Sequence, residues 1–419
     1  MMMSTILQPL FGLFVLTGLA WAMSEQIKKV AFRDILTGFA LQFVIVLILL
    51  KVPLIRDLFG LINQAVVLLE SSTRAGSSFV FGYLGGAPLP FAENSPGASF
   101  VFALQALPIV LVVSALSSLF FYWRILPILV RAFSWMLQKT MGIGGAVGLS
   151  AAANVFLGMV ESPLFVRPYL EKMTRSELFI TMSCGMAGIA GTVMVLYASL
   201  LRTVLPDALG HILVVSIMTI PCAIMISRIM VPETEEITAG SLVPPQEATG
   251  AMDAVTKGTV EGIHLLANIV AMLIVLLALV SMVNGIMVVI PTSDGQAVTL
   301  QRLLGWIMAP IVWLIGIPWS EAPVAGALMG TKMVLNELIA YVDMAKLPPE
   351  ALNPHSRLIM IYALCGFANF GSLGIMIGGL GSMAPARRTE IIGLGFKSIV
   401  SGTLATLIAG AIVGIVTAL

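Results

Sequence analysis

The feature that most constrains this chain is a series of apolar stretches, each about as long as a helix that crosses a lipid bilayer. Such a helix needs about 20 mostly apolar residues. Eight stretches meet that length, near residues 5–23, 34–52, 100–122, 176–200, 211–230, 262–290, 357–383 and 392–417. Only 10% of the 419 residues are charged and the mean hydropathy is +1.03, whereas soluble domains carry about 25% charged residues. The sequence therefore predicts an all-α polytopic membrane protein.

Charge balance and motif content exclude several classes of function. Lys and Arg total 22 against 21 Asp and Glu, so no surface for nucleic acid is expected. The sequence has no Walker-type phosphate loop and no His-Glu-x-x-His motif, which argues against ATP-driven transport and against an enzyme, and no cofactor is expected. The cysteines Cys184, Cys222 and Cys365 all lie in apolar stretches and are interpreted as small buried side chains.

Basic residues predict the orientation, because cytoplasmic loops are enriched in Lys and Arg. If the first loop, with Lys28, Lys29 and Arg33, is cytoplasmic, 14 of the 22 basic residues fall on that side. Both termini then lie outside, and the apolar N-terminus is a first span rather than a signal peptide, because no basic residue precedes it. We expect a multi-pass protein of a bacterial inner membrane, with residues 231–258 as a solvated cytoplasmic loop.

Two further apolar regions, 142–170 and 303–340, are interrupted at their middles and resemble one another. Residues 158–163 and 316–323 both place a Glu-x-Pro at the midpoint, and a glycine-rich span follows each region. Three predicted spans separate the two regions, so the second enters from the opposite face and the pair forms an inverted repeat of re-entrant hairpins. Secondary transporters often build a substrate site at the bilayer midplane from such broken helices.

These features divide the chain into six segments. They are the N-terminal spans with scaffold and interfacial helix (1–135), the first repeat with spans 4 and 5 (136–230), the cytoplasmic loop (231–258), span 6 of the scaffold (259–302), the second repeat with span 7 (303–383) and span 8 (384–419). Interrupted helices expose N–H and C=O groups that lipid cannot satisfy, so both hairpin tips are expected to meet polar groups.

Three carboxylates at predicted membrane depth are the main functional signal. A charge there costs several kcal/mol on most scales and usually faces a pathway, so Glu161 and Glu337 are predicted to contact substrate or coupling ion. Glu321 fits a helix-capping role and a functional role equally. Lys332 precedes Glu337 by five residues, off the three- or four-residue spacing of helix neighbours, so a local ion pair is a poor explanation for that carboxylate.

Amide and hydroxyl side chains also cluster beside the hairpin motifs, at Asn154, Asn336, Asn369 and Ser372. Such groups both donate and accept hydrogen bonds, which suits sugar hydroxyls; hydrogen bonding between helices is the alternative. His264, at the start of the sixth span, is interpreted as a hydrogen-bonded packing residue, with proton relay as the alternative.

Residues 330–341 (GTKMVLNELIAY) resemble the G-x-K-x-x-x-N-E-F-V-A-Y signature of the concentrative nucleoside transporters. Residues 76–82, 152–158 and 363–369 are also similar to that family, in order and at compatible spacing. The resemblance implies cation-coupled nucleoside uptake by a homotrimer whose protomers each have eight spans and two re-entrant hairpins. It also implies an elevator-like movement of a transport domain against a trimerising scaffold.

The resemblance further implies roles for individual residues. The substrate residues are Glu337, Asn369 and Ser372 at the ribose, and Glu161, Leu265 and Phe367 at the nucleobase. The first hairpin departs from the family's G-Q-T-E-A-P, because Met159 and Val160 replace an amide and a hydroxyl. Base recognition is therefore expected to differ, and Met159 offers a soft surface to a larger base.

The coupling ion follows from a second departure. The positions that match the family's sodium site are Asn154, Leu157, Val160, Gly188 and Ile189. The hydroxyls expected at the third and fourth of these positions are absent, and a hard cation with fewer oxygens binds weakly. We therefore expect proton coupling through Glu337 or Glu161, with weak sodium binding at Asn154, Leu157 and Gly188 as the alternative. Other hydroxyl oxygens nearby in the sequence are those of Ser183 and Thr192.

Two other functions stay open at this point. One is a symporter for another small polar solute, such as a modified nucleoside or a free base, because the base-facing positions have changed. The other is a passive channel, which needs a continuous lined pore, whereas inverted hairpins favour alternating access. The expected partners are a small-molecule nucleoside, membrane lipid and further copies of the chain.

Overall fold

The computed structural model describes residues 2–93, 99–202, 204–205, 207–238, 248–287 and 298–418. Over that part of the chain the regular elements are helices, with no strand. The first twelve helices are α1 Met2–Ala22, α2 Phe32–Lys51, α3 Pro53–Phe81, α4 Phe102–Gln105, α5 Ile109–Tyr122, α6 Ile125–Met141, α7 Gly145–Ala153, α8 Glu161–Leu164, α9 Arg167–Leu170, α10 Arg175–Ala187, α11 Gly191–Leu201 and α12 Ala208–Met230. The others are α13 Ala251–Met287, α14 Leu300–Leu314, α15 Ala322–Val334, α16 Glu337–Lys346, α17 Pro354–Leu364, α18 Phe370–Met383 and α19 Arg388–Ala418.

The apolar stretches of the sequence coincide with helices wherever they are described. Six helical segments among the described residues are long and apolar enough to cross a bilayer: Phe32–Lys51, Phe102–Tyr122, Arg175–Leu201, Ala208–Met230, Ala251–Met287 and Pro385–Ala418. Shorter apolar helices cover Ile6–Ala22 and Phe370–Met383. The chain is therefore an all-helical, multi-pass membrane protein. Its stretch at 357–383 is two helices, α17 and α18, rather than one.

Two further features differ from the sequence prediction, a missed helix and a helix boundary. The long helix α3 is not among the predicted spans, because polar residues such as Asn63, Glu70 and Arg74 interrupt any 20-residue apolar run within it. Helix α13 begins at Ala251, so the end of the predicted cytoplasmic loop is helical. Residues 239–247 of that loop lie outside the described residues.

The start of the same loop is not a free linker. Its Thr238 donates from the backbone N–H to Glu177 Oε1 at 2.9 Å and from the hydroxyl to Glu177 Oε2 at 2.6 Å. Glu177 is buried in the first turn of α10, where it also completes a capping box with Thr174. The segment before residue 239 is therefore attached to the N-terminus of α10, because a buried carboxylate needs these donors.

Two helices are broken at matching places, and the breaks touch. Helices α10 and α11 are separated at Gly188–Ala190, and α17 and α18 at Cys365–Asn369. The Phe367 N–H donates to the Gly188 carbonyl at 3.2 Å. A Cβ added at Gly366 would lie 2.7 Å from the Ala187 carbonyl oxygen, so only glycine permits this approach. Each break thus satisfies part of the backbone that the other exposes, as an apolar environment requires.

Helices α14 and α15 form an antiparallel pair whose backbones are in close contact. A Cβ at Gly326 would lie 2.5 Å from the Gly305 carbonyl oxygen, and one at Gly330 would lie 2.7 Å from the Leu304 Cβ. The connection between the helices passes through Gly316 at φ 110°, in the left-handed region that glycine adopts without strain. This pair corresponds to the second predicted hairpin.

Glu321 at the tip of this pair does not cap its own helix. Its Oε1 accepts from Asn353 Nδ2 at 2.8 Å and its Oε2 from the Asn353 N–H at 3.3 Å. Asn353 in turn caps α17 by accepting from the Ser356 N–H at 2.9 Å. Glu321 therefore fastens the hairpin tip to the start of the broken helix.

An ionic network joins three elements at the end of the bundle that is predicted to be cytoplasmic. Glu25, between α1 and α2, accepts two bonds from Arg175 at 2.9 Å and one from Lys397 at 2.6 Å. Arg175 also contacts Glu390 at 3.3 Å, which pairs with Arg387 at 2.6 Å. The hydrogen bond from Arg175 is the main cause that lowers the pKa of Glu25 to about 2, against partial burial, which raises it.

This network predicts an acid-sensitive contribution to stability. Because the pKa of Glu25 is lowered from 4.5 on folding, its stabilisation is complete above pH 4.5 and is lost as the pH falls towards 2. We expect E25Q to lower the free energy of unfolding at pH 7 by about 1 kcal/mol or less, since the pair is partly exposed. Thermal unfolding of the detergent-solubilised protein measures this, and the difference from the parent should shrink below pH 4.5.

The matched control is E350Q. Glu350 is exposed and makes no hydrogen bond or ion pair with the described part of the chain. E350Q should therefore unfold like the parent at every pH. A deficit of E25Q that is the same at pH 3 and pH 7 would contradict the assignment.

Candidate functional site

A buried cluster of polar side chains forms where α11, α16 and α18 meet. Glu337, in the first turn of α16, is 4% exposed. Its Oε1 accepts from the Tyr197 hydroxyl at 2.6 Å and its Oε2 from Asn369 Nδ2 at 3.1 Å. The Tyr197 ring packs against the Tyr341 ring with centroids 5.3 Å apart. The cluster thus holds one carboxylate in a fixed orientation with lone pairs to spare.

The local sequence explains how α16 and α18 begin at this cluster. Asn336 caps α16 by accepting from the Ile339 N–H at 3.0 Å, and Asn369 caps α18 by accepting from the Ser372 N–H at 2.7 Å. Asn is a preferred N-cap residue. Asn369 therefore uses its oxygen for the helix and its nitrogen for Glu337, which couples the helix start to the carboxylate.

Lys332 is fully buried beside this cluster. Its ammonium donates to the Ala363 carbonyl at 2.9 Å and to the Thr406 hydroxyl at 3.1 Å. Ala363 belongs to the last turn of α17, where carbonyls lack helical partners and the dipole favours a cation. The ammonium satisfies that broken end, and both of these hydrogen bonds go to neutral oxygens rather than to Glu337.

A cavity of about 650 Å³ lies between the first hairpin and the pair α5 and α13. Four predicted site residues line it, namely Leu157, Val160, Glu161 and Leu265. Its wall also carries polar side chains that the sequence did not single out for binding, including Ser117, Arg167 and Asn268. The volume lies within the usual range for small-molecule sites.

The side chains at the tip of the first hairpin point in different directions. Met159 is buried and is not part of the cavity lining. Its Cβ lies 2.9 Å from where a Cβ added at Gly185 would be, so the side chain packs on α10. The Val160 methyl groups would lie 2.7–2.8 Å from a Cβ at Gly379, so that side chain packs on α18. Glu161 is exposed and folds back towards Gly158.

Asn154 follows the last residue of α7 and lies beside the break between α10 and α11. Its Nδ2 donates to Ser162 Oγ at 3.0 Å, and its Oδ1 would lie 2.2 Å from a Cβ at Gly188. Ile189 is fully buried, and the Gly188 carbonyl already accepts from Phe367. A hydroxyl-bearing side chain at position 188 would therefore collide with the Asn154 amide.

The structure thus separates the predicted site residues into three groups. Leu157, Val160, Glu161 and Leu265 line the cavity; Glu337, Asn369 and Ser372 form the buried cluster; Asn154, Gly188, Ile189 and Phe367 lie at the crossing of the broken helices. Met159 belongs to none of the three, because it packs against Gly185. Within the described ranges no group of three His, Cys, Asp or Glu side chains is arranged to hold a metal ion. Tyr197 was missed because an aromatic residue in an apolar stretch carries no signal of its own.

Similarity to known proteins extends over nearly the whole chain. Family profiles described as "Na+ dependent nucleoside transporter" match residues 11–84 (N-terminus) and 211–414 (C-terminus), and one described as "Nucleoside recognition" matches residues 103–204. An uncharacterized transporter of Haemophilus influenzae is 35% identical over 98% of both chains. Nucleoside permease NupC of Helicobacter pylori is 32% identical over 96% of both chains.

Solved structures agree with these sequence relatives. CNTnw in an inward-facing substrate-bound state superposes with a TM-score of 0.89 at 37% identity, covering 98% of this chain and 99% of that one. A double variant of CNTnw in an outward-facing state gives a TM-score of 0.90 at 36% identity, covering 99% and 98%. The overall fold alone therefore does not separate the two states.

The double role of Asn369 predicts how two substitutions differ. N369A removes both the cap of α18 and the donor to Glu337, whereas N369S keeps a capping oxygen. We expect N369A to be less stable than N369S by about 1 kcal/mol, the usual value of such a cap. Thermal unfolding in detergent measures the difference, and equal stability of the two variants would contradict the capping role.

Proposed function

The chain belongs to the concentrative nucleoside transporter family, and we propose that it carries nucleosides across the bacterial inner membrane by secondary active cation symport. The observation that carries the proposal is the Glu337–Asn369 pair. A carboxylate and an amide are held together at the starts of two interrupted helices, inside a protein whose other buried residues are mostly apolar. Because an ionisable group is costly at membrane depth, such a pair usually marks the path of a substrate or an ion.

In this proposal the ribose binds at the buried cluster. Tyr197 and Asn369 occupy one lone pair on each Glu337 oxygen, so the carboxylate can still accept from the sugar hydroxyls. Ser372 is the third ribose residue. A ligand without these hydroxyls leaves the buried carboxylate without its hydrogen-bond donors, so the site binds such a ligand more weakly than a nucleoside.

The nucleobase end lies towards the cavity, with Glu161 as its polar contact and Leu265 and Phe367 as apolar ones. The cavity reaches Ala248, Ala254 and Lys257 near the start of α13, on the predicted cytoplasmic side. We assign this arrangement to an inward-open state.

The remaining architecture is proposed from the family. Eight spans and two re-entrant hairpins form each protomer, three protomers assemble, and both termini lie outside the cell. The transport domain moves against the scaffold as an elevator. The contact between the two broken helices supports this, because it joins the two parts of the chain that carry the proposed site.

Protons are the proposed coupling ion, with Glu337 or Glu161 as the carrier. The absent hydroxyls at Val160 and Gly188 leave the Asn154 amide and backbone carbonyls as the oxygens at the matching sodium position. Sodium held by those oxygens is the alternative, which the family's description as Na+ dependent supports.

Reconstitution in liposomes separates the two ions. Uptake of nucleoside above equilibrium should follow an imposed inward proton gradient in sodium-free buffer and should not respond to a sodium gradient at constant pH. Accumulation that requires sodium would reverse the assignment of the ion. Flux that never exceeds equilibrium under either gradient would support a channel and overturn symport.

E337Q tests the ribose site. It keeps the shape of the side chain but removes the charge that accepts the sugar hydroxyls, so nucleoside affinity should fall about 10- to 100-fold, the value of one charge-assisted hydrogen bond. Binding to purified protein in a panel of purine and pyrimidine nucleosides, with free bases as controls, measures this. E350Q serves again as the matched control, and near-normal affinity in E337Q would contradict the assigned role.

A further inference from the structure

Helix α13 presents a polar stripe to the cavity. Lys257, Glu261, His264 and Asn268 recur at intervals of three or four residues and all line the cavity, so they share one helix face. The neighbouring face is fixed by close packing, because a Cβ at Gly258 would lie 2.6 Å from the Ser114 carbonyl oxygen on α5. The stripe is therefore held against the cavity by the fit of two helices.

Two members of the stripe have no partner in the protein. His264 and Asn268 are both exposed to the cavity, and neither makes a hydrogen bond within the described part of the chain. The packing role predicted for His264 is therefore wrong. An amide inside a membrane span usually pairs with another polar group, so an unpartnered one that faces a cavity indicates a polar ligand.

The tip of the first hairpin, which faces the stripe, supplies few polar groups. Met159 packs against Gly185 outside the cavity, and Val160 adds only an apolar surface to the lining, which leaves Glu161 as the tip's polar side chain in the cavity. An ionised carboxylate only accepts hydrogen bonds. Donors for the base must come from elsewhere, and an Asn amide and a His ring each offer them.

We propose that His264 and Asn268 read the base of a purine nucleoside across the cavity from Glu161. This inference rests on the proposed function and names its substrate class. A ligand that bridges the two walls needs polar atoms on two edges of its base. A purine has them, with N–H groups on its Watson–Crick edge and the acceptor N7 on its other edge. The corresponding edge of a pyrimidine, at C5 and C6, is carbon.

In this arrangement Glu161 accepts from the Watson–Crick N–H groups, while Asn268 or His264 donates to N7. Leu265 lies between the two polar residues in the sequence and covers the ring. In the family's G-Q-T-E-A-P pattern the hairpin amide and hydroxyl select the base; in this chain side chains of α13 take that role.

A ligand that differs at one atom tests the proposal. 7-Deazaadenosine replaces N7 of adenosine by C–H. The full-length protein in nanodiscs should bind adenosine about 3- to 10-fold more tightly than 7-deazaadenosine, the value of one neutral hydrogen bond. N268A and H264A should each reduce that ratio, and the double variant should bring it to about one.

S281A, on the same helix and outside the cavity lining, is the control and should keep the ratio of the parent. N268L, which fills the volume without polar groups, serves if N268A fails to fold. Equal binding of the two ligands by the parent, or an unchanged ratio in the variants, would overturn the inference while leaving nucleoside transport intact. Failure of the parent to bind any nucleoside would overturn the proposed function itself.

Discussion

The contact between two broken helices is the constraint on which the rest of the site depends. A helix that stops inside an apolar environment leaves backbone groups unpaired, and lipid offers no replacement. Here the Phe367 N–H and the Gly188 carbonyl satisfy one another. That approach requires glycine at 366, while glycine at 188 makes room for the Asn154 amide; Asn154 lies at one break and Asn369 at the other. The polar groups of the site are arranged around this crossing.

Two charged residues with different partners lie near the break between α17 and α18. Lys332 satisfies the carbonyl end of α17 and the Thr406 hydroxyl, while Glu337 holds Tyr197 and Asn369. Had the ammonium bonded to the carboxylate directly, fewer acceptor sites would remain for a ligand. The five-residue offset between them matters for this reason, since a helix break lies between the two side chains.

The sequence predicted much of the fold because the cost of placing a side chain in lipid can be assessed residue by residue. Apolar runs marked most of the helices, and the second Glu-x-Pro marked the connection between the antiparallel helices α14 and α15. Helix α3 escaped because its polar residues break the apolar run that was the criterion. Glu161 and Glu337 stood out because a carboxylate is costly at that depth. Tyr197 and Asn268 did not stand out, because a Tyr or an Asn occurs in many spans for packing alone.

The sequence by itself determined the membrane class and singled out the few carboxylates that are proposed to carry function, since both follow from local composition and solvation cost. Only the tertiary structure decided which of these groups meet. Tyr197 and Glu337 are 140 residues apart, and no local pattern encodes their contact. The directions of Met159 and Val160 were likewise fixed by their fit against Gly185 and Gly379 on other helices, and the face of α13 that carries Asn268 by the fit of Gly258 against α5. Steric fit of this kind depends on both partners at once.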